Sequence, residues 1–178
     1  MPQSANLMNP ASPLARLLDA PPRPGVVVWI GLRPARHKPL VPVETADMEP
    51  EHGLGGDHYR SRATGSRQVT LIQSEHLAAI AGYLGLRQVE PGRLRRNIVV
   101  SGINLLALKG RRFRLGTAVL LYTGECHPCS RMEVEFGTGG YNAVRGHGGI
   151  TARLLSAGQV RLGDPIVRDD DPGLTAAL

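Results

Sequence analysis

The two cysteines of the chain lie three residues apart in the segment GECHPCSRME, residues 124–133. Proline is favoured at the first position of a helix, so Pro128 predicts a helical turn that begins there. Cys129 would then lie where backbone N–H groups and the helix dipole stabilise a thiolate. A thiolate acts as a nucleophile, a redox group or a ligand for a soft metal. A buried cysteine that only packs is the less favoured alternative.

The spacing of the cysteines leaves two further kinds of chemistry open. A thioredoxin-like redox pair uses the same spacing but expects a βαβ context. Zinc would bind through Cys126, Cys129 and a histidine such as His127 or His147. A structural zinc site needs four ligands and usually a second paired motif, which is not found in the sequence.

A second candidate is the basic stretch that ends in GRLRRNIVVSG, residues 92–102. From Arg60 to Arg96 the chain has seven arginines, against two acids, Glu75 and Glu90. Arginine binds phosphate through a fixed fork of donors. The sequence therefore favours an anion site at the residues just before a strand, although any single arginine is more often a solvated loop residue.

The third candidate comprises two glycine loops, GLGGDHY at residues 53–59 and VRGHGGI at residues 144–150. Glycines let the backbone approach a ligand closely, and successive N–H groups bind anions. GLGG lacks the Gly-Lys-Ser/Thr of a Walker loop. Glycines mostly make turns, and a lone loop histidine is usually only solvated, so this signal is weak by itself.

The elements that must position these residues are mostly short strands. Apolar runs bounded by turn signals predict strands at 26–32, 67–73, 97–103, 111–116, 117–124, 150–155, 159–164 and 165–168. One helix follows Ser74, a good N-cap, and closes at Gly85. Seven or eight short strands with one clear helix predict a mainly β fold, a β-barrel with a few short helices.

The composition is that of a single globular domain of 178 residues with a net charge of +6. Proline-rich residues 1–24 predict an N-terminal arm, residues 25–168 the barrel domain, and residues 169–178 a frayed C-terminal tail. The first residues do not form a signal-peptide pattern, and no apolar run approaches the ~20 residues that span a membrane. We therefore expect a cytoplasmic protein that is not bound to a membrane.

Together these stretches make a sequence that resembles the MOSC domain, named for the C-terminal part of molybdenum cofactor sulfurases. The matching segments, in order, are GLGGDHY, RQVTLIQ, LRRNIVVSG, FRLG, Pro128–Cys129, RGHGG and SAGQVRLGDPI. They cover residues 50 to 168. The resemblance implies a MOSC-type β-barrel that binds the molybdenum cofactor, a molybdopterin dithiolene with a terminal phosphate.

The resemblance also implies roles for particular residues. Cys129 matches the cysteine that ligates molybdenum, and is thus the candidate metal ligand and catalytic residue. Arg95 and Asn97 match positions that help to hold the cofactor, whereas Cys126 is not a general feature of the family. The candidate cofactor-binding residues are Gly56, Asp57, Arg95, Arg96, Asn97, Arg145 and His147. We expect Arg95, Arg96 and Asn97 to share a cavity with Cys129, with the loop 146–149 on its rim.

Some members of this family reduce N-hydroxylated bases and amidoximes, so the leading hypothesis is a molybdenum-dependent oxidoreductase that reduces a small N-hydroxylated substrate. The family's appended ferredoxin-like domain has no match here, so electrons are expected from a separate donor protein. The nearest alternative is a non-catalytic carrier of the cofactor or its sulfur. A zinc-stabilised module and a nucleic-acid-binding barrel are further alternatives. The last is disfavoured because aromatic residues for base stacking are few.

Overall fold

The computed structural model describes residue 9, residues 11–59 and residues 65–170. The described strands are β1 Gly25–Leu32, β2 Val41–Val43, β3 Thr45–Glu49, β4 Gly53–Leu54, β5 Val69–Gln73, β6 Ile98–Ser101, β7 Arg112–Leu115, β8 Ala118–Glu125, β9 Ile150–Leu154, β10 Gly158–Arg161 and β11 Pro165–Arg168. The described α-helices are α1 Pro13–Asp19, α2 Ser74–Leu84, α3 Arg131–Phe136 and α4 Gly140–Val144, with 3₁₀ turns at Pro91–Leu94 and Leu105–Leu108. The fold is mainly β, as the sequence predicts.

Seven strands close into a barrel. Their order is β11-β7-β8-β9-β5-β6-β1, and β1 pairs with β11 to complete the ring, while β2 extends it as an edge beside β1. Among the described pairs only β5 and β6 run parallel, and α2 connects them. Strands β10, β3 and β4 form a separate small sheet. Closure leaves few exposed strand edges, which is how a chain rich in short strands satisfies its backbone groups.

The apolar residues form two cores. The first fills the barrel and continues to the small sheet, with Phe113, Leu71, Ile98 and Met48 fully buried. The second lies outside the barrel, where α2, α3 and α4 cover outward-facing side chains of β5 and β6 such as Ile72 and Val99. Strands covered on both faces need near-continuous apolar sequence, which explains the runs VTLIQ and IVVS.

The predicted strands are confirmed, with boundaries that shift by a few residues, and the helix after Gln73 closes at Gly85 in the left-handed conformation. Ser74 is the first helical residue rather than the N-cap. The sequence interpretation missed β2 and β3, because prolines interrupt that stretch, and it took the two-residue strand β4 as part of a glycine loop. Pro42 lies in β2, the edge strand, where proline is tolerated.

Described residues near both ends of the chain make specific contacts, while residues 1–8 and 10 of the predicted arm lie outside the described part. In the expected arm, Ser12 caps α1, whose last residue Asp19 pairs with Arg111 and Arg168. The expected frayed tail begins at Asp169, but that residue is buried and contacts Arg112 and Arg114. Residues 171–178 lie outside the described residues. No helix in the described part of the chain combines the length and apolarity needed to cross a membrane.

Candidate functional site

The candidate site lies at one end of the barrel, where paired residues of five neighbouring strands form a row across the sheet. Leu71 pairs with both Ile98 and Ile150, and these in turn pair with Ile30 and Glu125. The residues next to this row are Gly31, Thr70, Asn97, Cys126 and Gly149. Register alone therefore brings the loops after β1 and β8 to the starts of β5, β6 and β9.

A cleft of about 210 Å³ opens at this end of the barrel. Its lining residues are Arg33, Asp57, His58, Tyr59, Arg67, Thr70, Arg95, Arg96, Asn97, Cys126, His127, Pro128, Cys129 and Met132. The predicted grouping of Arg95, Arg96 and Asn97 with Cys129 is confirmed, and Asp57 joins them. Four arginines line a cleft in which Asp57 is the one carboxylate among the described lining residues.

Asp57 and Asn97 belong to a buried hydrogen-bond network. The Asn97 side-chain amide donates to Asp57 Oδ2 at 2.8 Å and to the Gly31 carbonyl at 3.3 Å. Its oxygen accepts from the Thr70 hydroxyl at 2.8 Å. Asp57 also accepts from the backbone N–H groups of Arg33 and Tyr59, at 3.0 and 2.9 Å. The network joins three loops and β5, which fits a role in shaping the cleft.

Arg96 is buried and holds the loops around Cys126 together. Its guanidinium donates to the carbonyls of Gly148, Leu94 and Cys126, at 2.6, 2.8 and 2.9 Å. Burial is the main cause that lowers the pKa of Arg96 below its ordinary value. With three donors engaged by backbone carbonyls, this arginine fastens the loop that carries the cysteines.

Arg95 differs from its neighbour. It has a φ of 61°, in the left-handed region, where it ends the 3₁₀ turn Pro91–Leu94. The guanidinium of Arg95 makes no hydrogen bond or ion pair with a described residue. Burial, then Arg33 and Arg131, lower its pKa, while Cys129 acts in the opposite direction. A non-glycine residue held in this conformation is a strained feature of the kind that clusters at functional sites.

The mouth of the cleft is positively charged. Arg131 contacts His37 Nδ1, and Arg131 is the largest cause that lowers the pKa of His37, with Arg36 and Arg95 adding to it. Inside, Arg33 Nε is buried without a hydrogen-bond partner in the described part of the chain. Cationic donors without an acid partner favour an anionic ligand.

The two cysteines differ in environment. Cys129 is exposed at the cleft, whereas Cys126 is 2% exposed. The Cys126 sulfur accepts a hydrogen bond from Arg67 Nη2 at 3.6 Å. The predicted helix start at Pro128 is wrong, because α3 begins at Arg131. A hydrogen-bonded turn precedes this helix, because the Cys129 carbonyl accepts a hydrogen bond from the Met132 N–H at 2.9 Å. No group of three or more His, Cys, Asp or Glu in the described residues could hold a metal ion.

The other candidate residues lie beside the cleft. The loop 146–149 does not form its rim. Instead Gly146, Gly148 and Gly149 line a cavity of about 10 Å³ on the far side of Cys126. The His147 ring packs against His76, with centroids 4.8 Å apart, and Arg145 is exposed. Gly56, at a φ of 82°, turns the chain just before Asp57 and is not among the lining residues.

Sequence reasoning missed several residues in the cleft and one close to it, Arg131, which influences Arg95. Arg33 follows the buried strand β1 directly, and Arg131 opens α3 just after the cysteines. The sequence predicts only a solvated loop histidine at His58, but its side chain lines the cleft beside Asp57. A signal did exist in RPARHK, residues 33–38, which is a basic run immediately after a buried strand.

The family assignment agrees with this geometry. The MOSC domain model matches residues 51–167. The chain belongs to the MOSC domain family. No curated protein matches the chain.

Solved structures show the same fold. The YuaD protein from Bacillus subtilis is 21% identical and superposes with a TM-score of 0.72, over 84% of this chain and 98% of that one. YiiM from Geobacillus stearothermophilus is 19% identical, with a TM-score of 0.65 over 85% of this chain and 78% of that one. YiiM from Escherichia coli is 18% identical, with a TM-score of 0.63 over 82% and 70%. At these identities the likeness shows the MOSC barrel fold alone.

Proposed function

We propose that this MOSC protein binds the molybdenum cofactor through Cys129 and reduces small N-hydroxylated compounds with electrons from a separate donor protein. The observation that carries the proposal is an exposed thiol in a cleft whose cationic donors at Arg33 and Arg95 have no acid partner among the described residues. A cytoplasmic location suits a site that depends on a reduced thiol.

The donor set of the cleft fits this cofactor better than it fits a bare metal ion. A zinc site needs three or four protein ligands, and the described residues offer no such cluster. A cofactor that brings its own sulfur ligands needs only one from the protein, and a thiolate suits a soft metal. The phosphate of the cofactor matches Arg33 and Arg95, which present guanidinium donors.

Each residue of the cleft would have a distinct role in binding the cofactor. Cys129 would hold the metal, and Arg33 and Arg95 would bind the phosphate, while Arg96 and Asn97 fix the loops that carry them. When bound, the cofactor supplies a redox-active metal for breaking an N–O bond. The protein orients the substrate and supplies protons.

The test is expression in a host that makes the cofactor, followed by metal analysis and fluorescence of the oxidised pterin. We expect molybdenum and pterin together in the purified protein. Arg95→Glu should lose more of both than Arg161→Glu, because Arg161 lies in β10 of the small sheet and hydrogen-bonds Gln159 instead. Zinc without pterin, or equal loss in the two variants, would contradict the proposal.

The second candidate function is a carrier of the cofactor or its sulfur. The exposure of Cys129 favours it, because a partner protein can reach this thiol directly. Stoichiometric cofactor without turnover of an N-hydroxylated compound, under a chemical electron donor, would favour the carrier over the reductase.

A further inference from the structure

A chain of hydrogen bonds leads from the barrel wall to a histidine in the cleft. Thr70 donates to Asn97, and Asn97 donates to Asp57, both at 2.8 Å. Asp57 Oδ1 lies 3.4 Å from Nδ1 of His58, whose side chain is 28% exposed. Because an ionised carboxylate only accepts hydrogen bonds, Nδ1 carries the hydrogen in this contact. The Nε2 atom of the ring is then left available for a ligand.

The backbone of His58 is also held. Its N–H donates to the Arg33 carbonyl at 2.7 Å, so the loop that carries the ring is tied to the end of β1. A carboxylate that orients an imidazole through Nδ1 is the arrangement that prepares Nε2 for proton transfer. Asp57 and Asn97 therefore act as positioning residues for His58.

The proposed reaction consumes protons, and a general acid in the cleft could supply one of them. On the proposed function, R–NH–OH takes up two electrons and two protons to give R–NH2 and water. Arginine does not release a proton near neutral pH, and the Asp57 carboxylate accepts hydrogen bonds from four donors. Cys129 is assigned to the metal. The imidazoles among the described lining residues are those of His58 and His127, and histidine is the residue type most often used for general acid catalysis.

We propose that His58 is the general acid of this site, which rests on the proposed function. As the N–O bond breaks, the nitrogen takes up two electrons, which a reduced low-potential donor protein would supply and the cofactor, when bound, would carry. In the protonated His58 ring both nitrogens carry a hydrogen. The Nε2 proton goes to the departing OH group, which leaves as water, and solvent supplies the second proton to the nitrogen. His58 is preferred to His127 because no described side chain orients the His127 ring.

The charges that face His58 come from every segment around the cleft. Asp57 is the one carboxylate among the described residues that line the cleft. The remaining charged or titratable groups are His37, Arg33, Tyr59, Arg67, Arg95, Arg96, Cys126, His127 and Cys129. Removal of Asp57's charge therefore leaves the ring in a cationic cleft, which disfavours the protonated imidazole. Asp57→Asn should thus weaken proton donation without removing the histidine.

The experiment compares His58→Gln, Asp57→Asn, His127→Gln and, as a surface control, His52→Gln. Each variant is purified from the cofactor-competent host and assayed for molybdenum, pterin and reduction of an N-hydroxylated purine with a reduced viologen dye. We expect His58→Gln to keep its cofactor and its KM but to lose kcat by roughly 10²–10⁴-fold, the usual contribution of a general acid. Added imidazole should restore part of the rate in His58→Ala.

A second readout needs no cofactor. Nitrogen-15 NMR of the histidine side chains in the cofactor-free protein should show His58 with its hydrogen on Nδ1, and Asp57→Asn should shift the ring toward the other tautomer. Wild-type kcat in His58→Gln, loss of cofactor from that variant, or a rate defect in His127→Gln instead would each overturn the assignment. If the wild-type protein holds no molybdenum, it is the proposed function that fails.

Discussion

The Asn97 side chain donates a hydrogen bond to the Asp57 carboxylate across 2.8 Å, and both residues are buried. Forty residues of sequence separate them, including α2, and the contact fastens the loop after β4 to the start of β6. An amide can serve this position because it donates to a carboxylate and accepts from a hydroxyl at the same time.

Asn97→Ala should lower the free energy of unfolding by roughly 2–4 kcal/mol, because it leaves the buried Asp57 carboxylate short of a donor and the Thr70 hydroxyl without its acceptor. Urea denaturation measures the change. Gln88→Ala, which removes an exposed amide bonded to Glu90, is the control and should stay within about 0.5 kcal/mol of wild type. Equal effects would mean that the network contributes little.

Two variants of Arg95 can distinguish the effect of its charge from the effect of its strained backbone conformation. Arg95→Gly and Arg95→Val both remove the guanidinium, but only valine keeps an unfavourable left-handed conformation at a φ of 61°. Calorimetry with inorganic phosphate should show weakened binding for both. Thermal unfolding should show Arg95→Val less stable than Arg95→Gly by about 1–3 kcal/mol. Binding that survives in the glycine variant would remove Arg95 from the anion site.

The glycine loop 146–149 offers a matched pair. Gly146 and Gly149 have similar positive φ values, 83° and 80°. A Cβ at Gly149 would lie 1.9 Å from the Leu71 carbonyl oxygen, whereas at Gly146 it would meet nothing within 4 Å. Gly146→Ala should cost about 1–2 kcal/mol from the backbone alone. Gly149→Ala adds overpacking and should cost about 1–3 kcal/mol more, by urea denaturation.

The same loop shows where sequence reasoning stops. Its glycines predicted close approach to a ligand, but Gly148 and Gly149 instead allow the backbone to pass against Cys126 and β5. The strands and the grouping of Arg95–Asn97 with Cys129 were predictable, since apolar runs mark strands and the arginines directly precede one. The placement of Arg33 beside His58 was not, because β4 belongs to the small sheet and only tertiary packing brings the loop after it to the end of β1.

His76 should make stability depend on pH. Burial, and then the neighbouring His147, lower the pKa of His76 in the folded protein below its ordinary value of 6.5. The unfolded chain therefore binds the proton more readily, so stability is lost as the pH falls below 6.5 and the loss ends below the folded pKa. The free energy of unfolding, measured between about pH 8 and pH 5, should fall less steeply in His76→Gln than in wild type. His52→Gln, at an exposed histidine, should keep the wild-type slope.

The last prediction separates the two cysteines. Cys129 is exposed at the cleft and near the Arg95 guanidinium, whereas Cys126 is buried, contacts Arg67, and has its carbonyl held by Arg96. Cys129→Ser should therefore abolish bound molybdenum and reductase activity at little cost in stability. Cys126→Ser should retain a substantial fraction of both, with lower stability because it replaces a buried thiol with a more polar hydroxyl. Metal analysis, turnover and thermal unfolding of the two single variants measure each effect. A redox pair or a two-thiolate metal site needs both sulfurs, so equal loss of metal and activity would overturn the single-thiolate site.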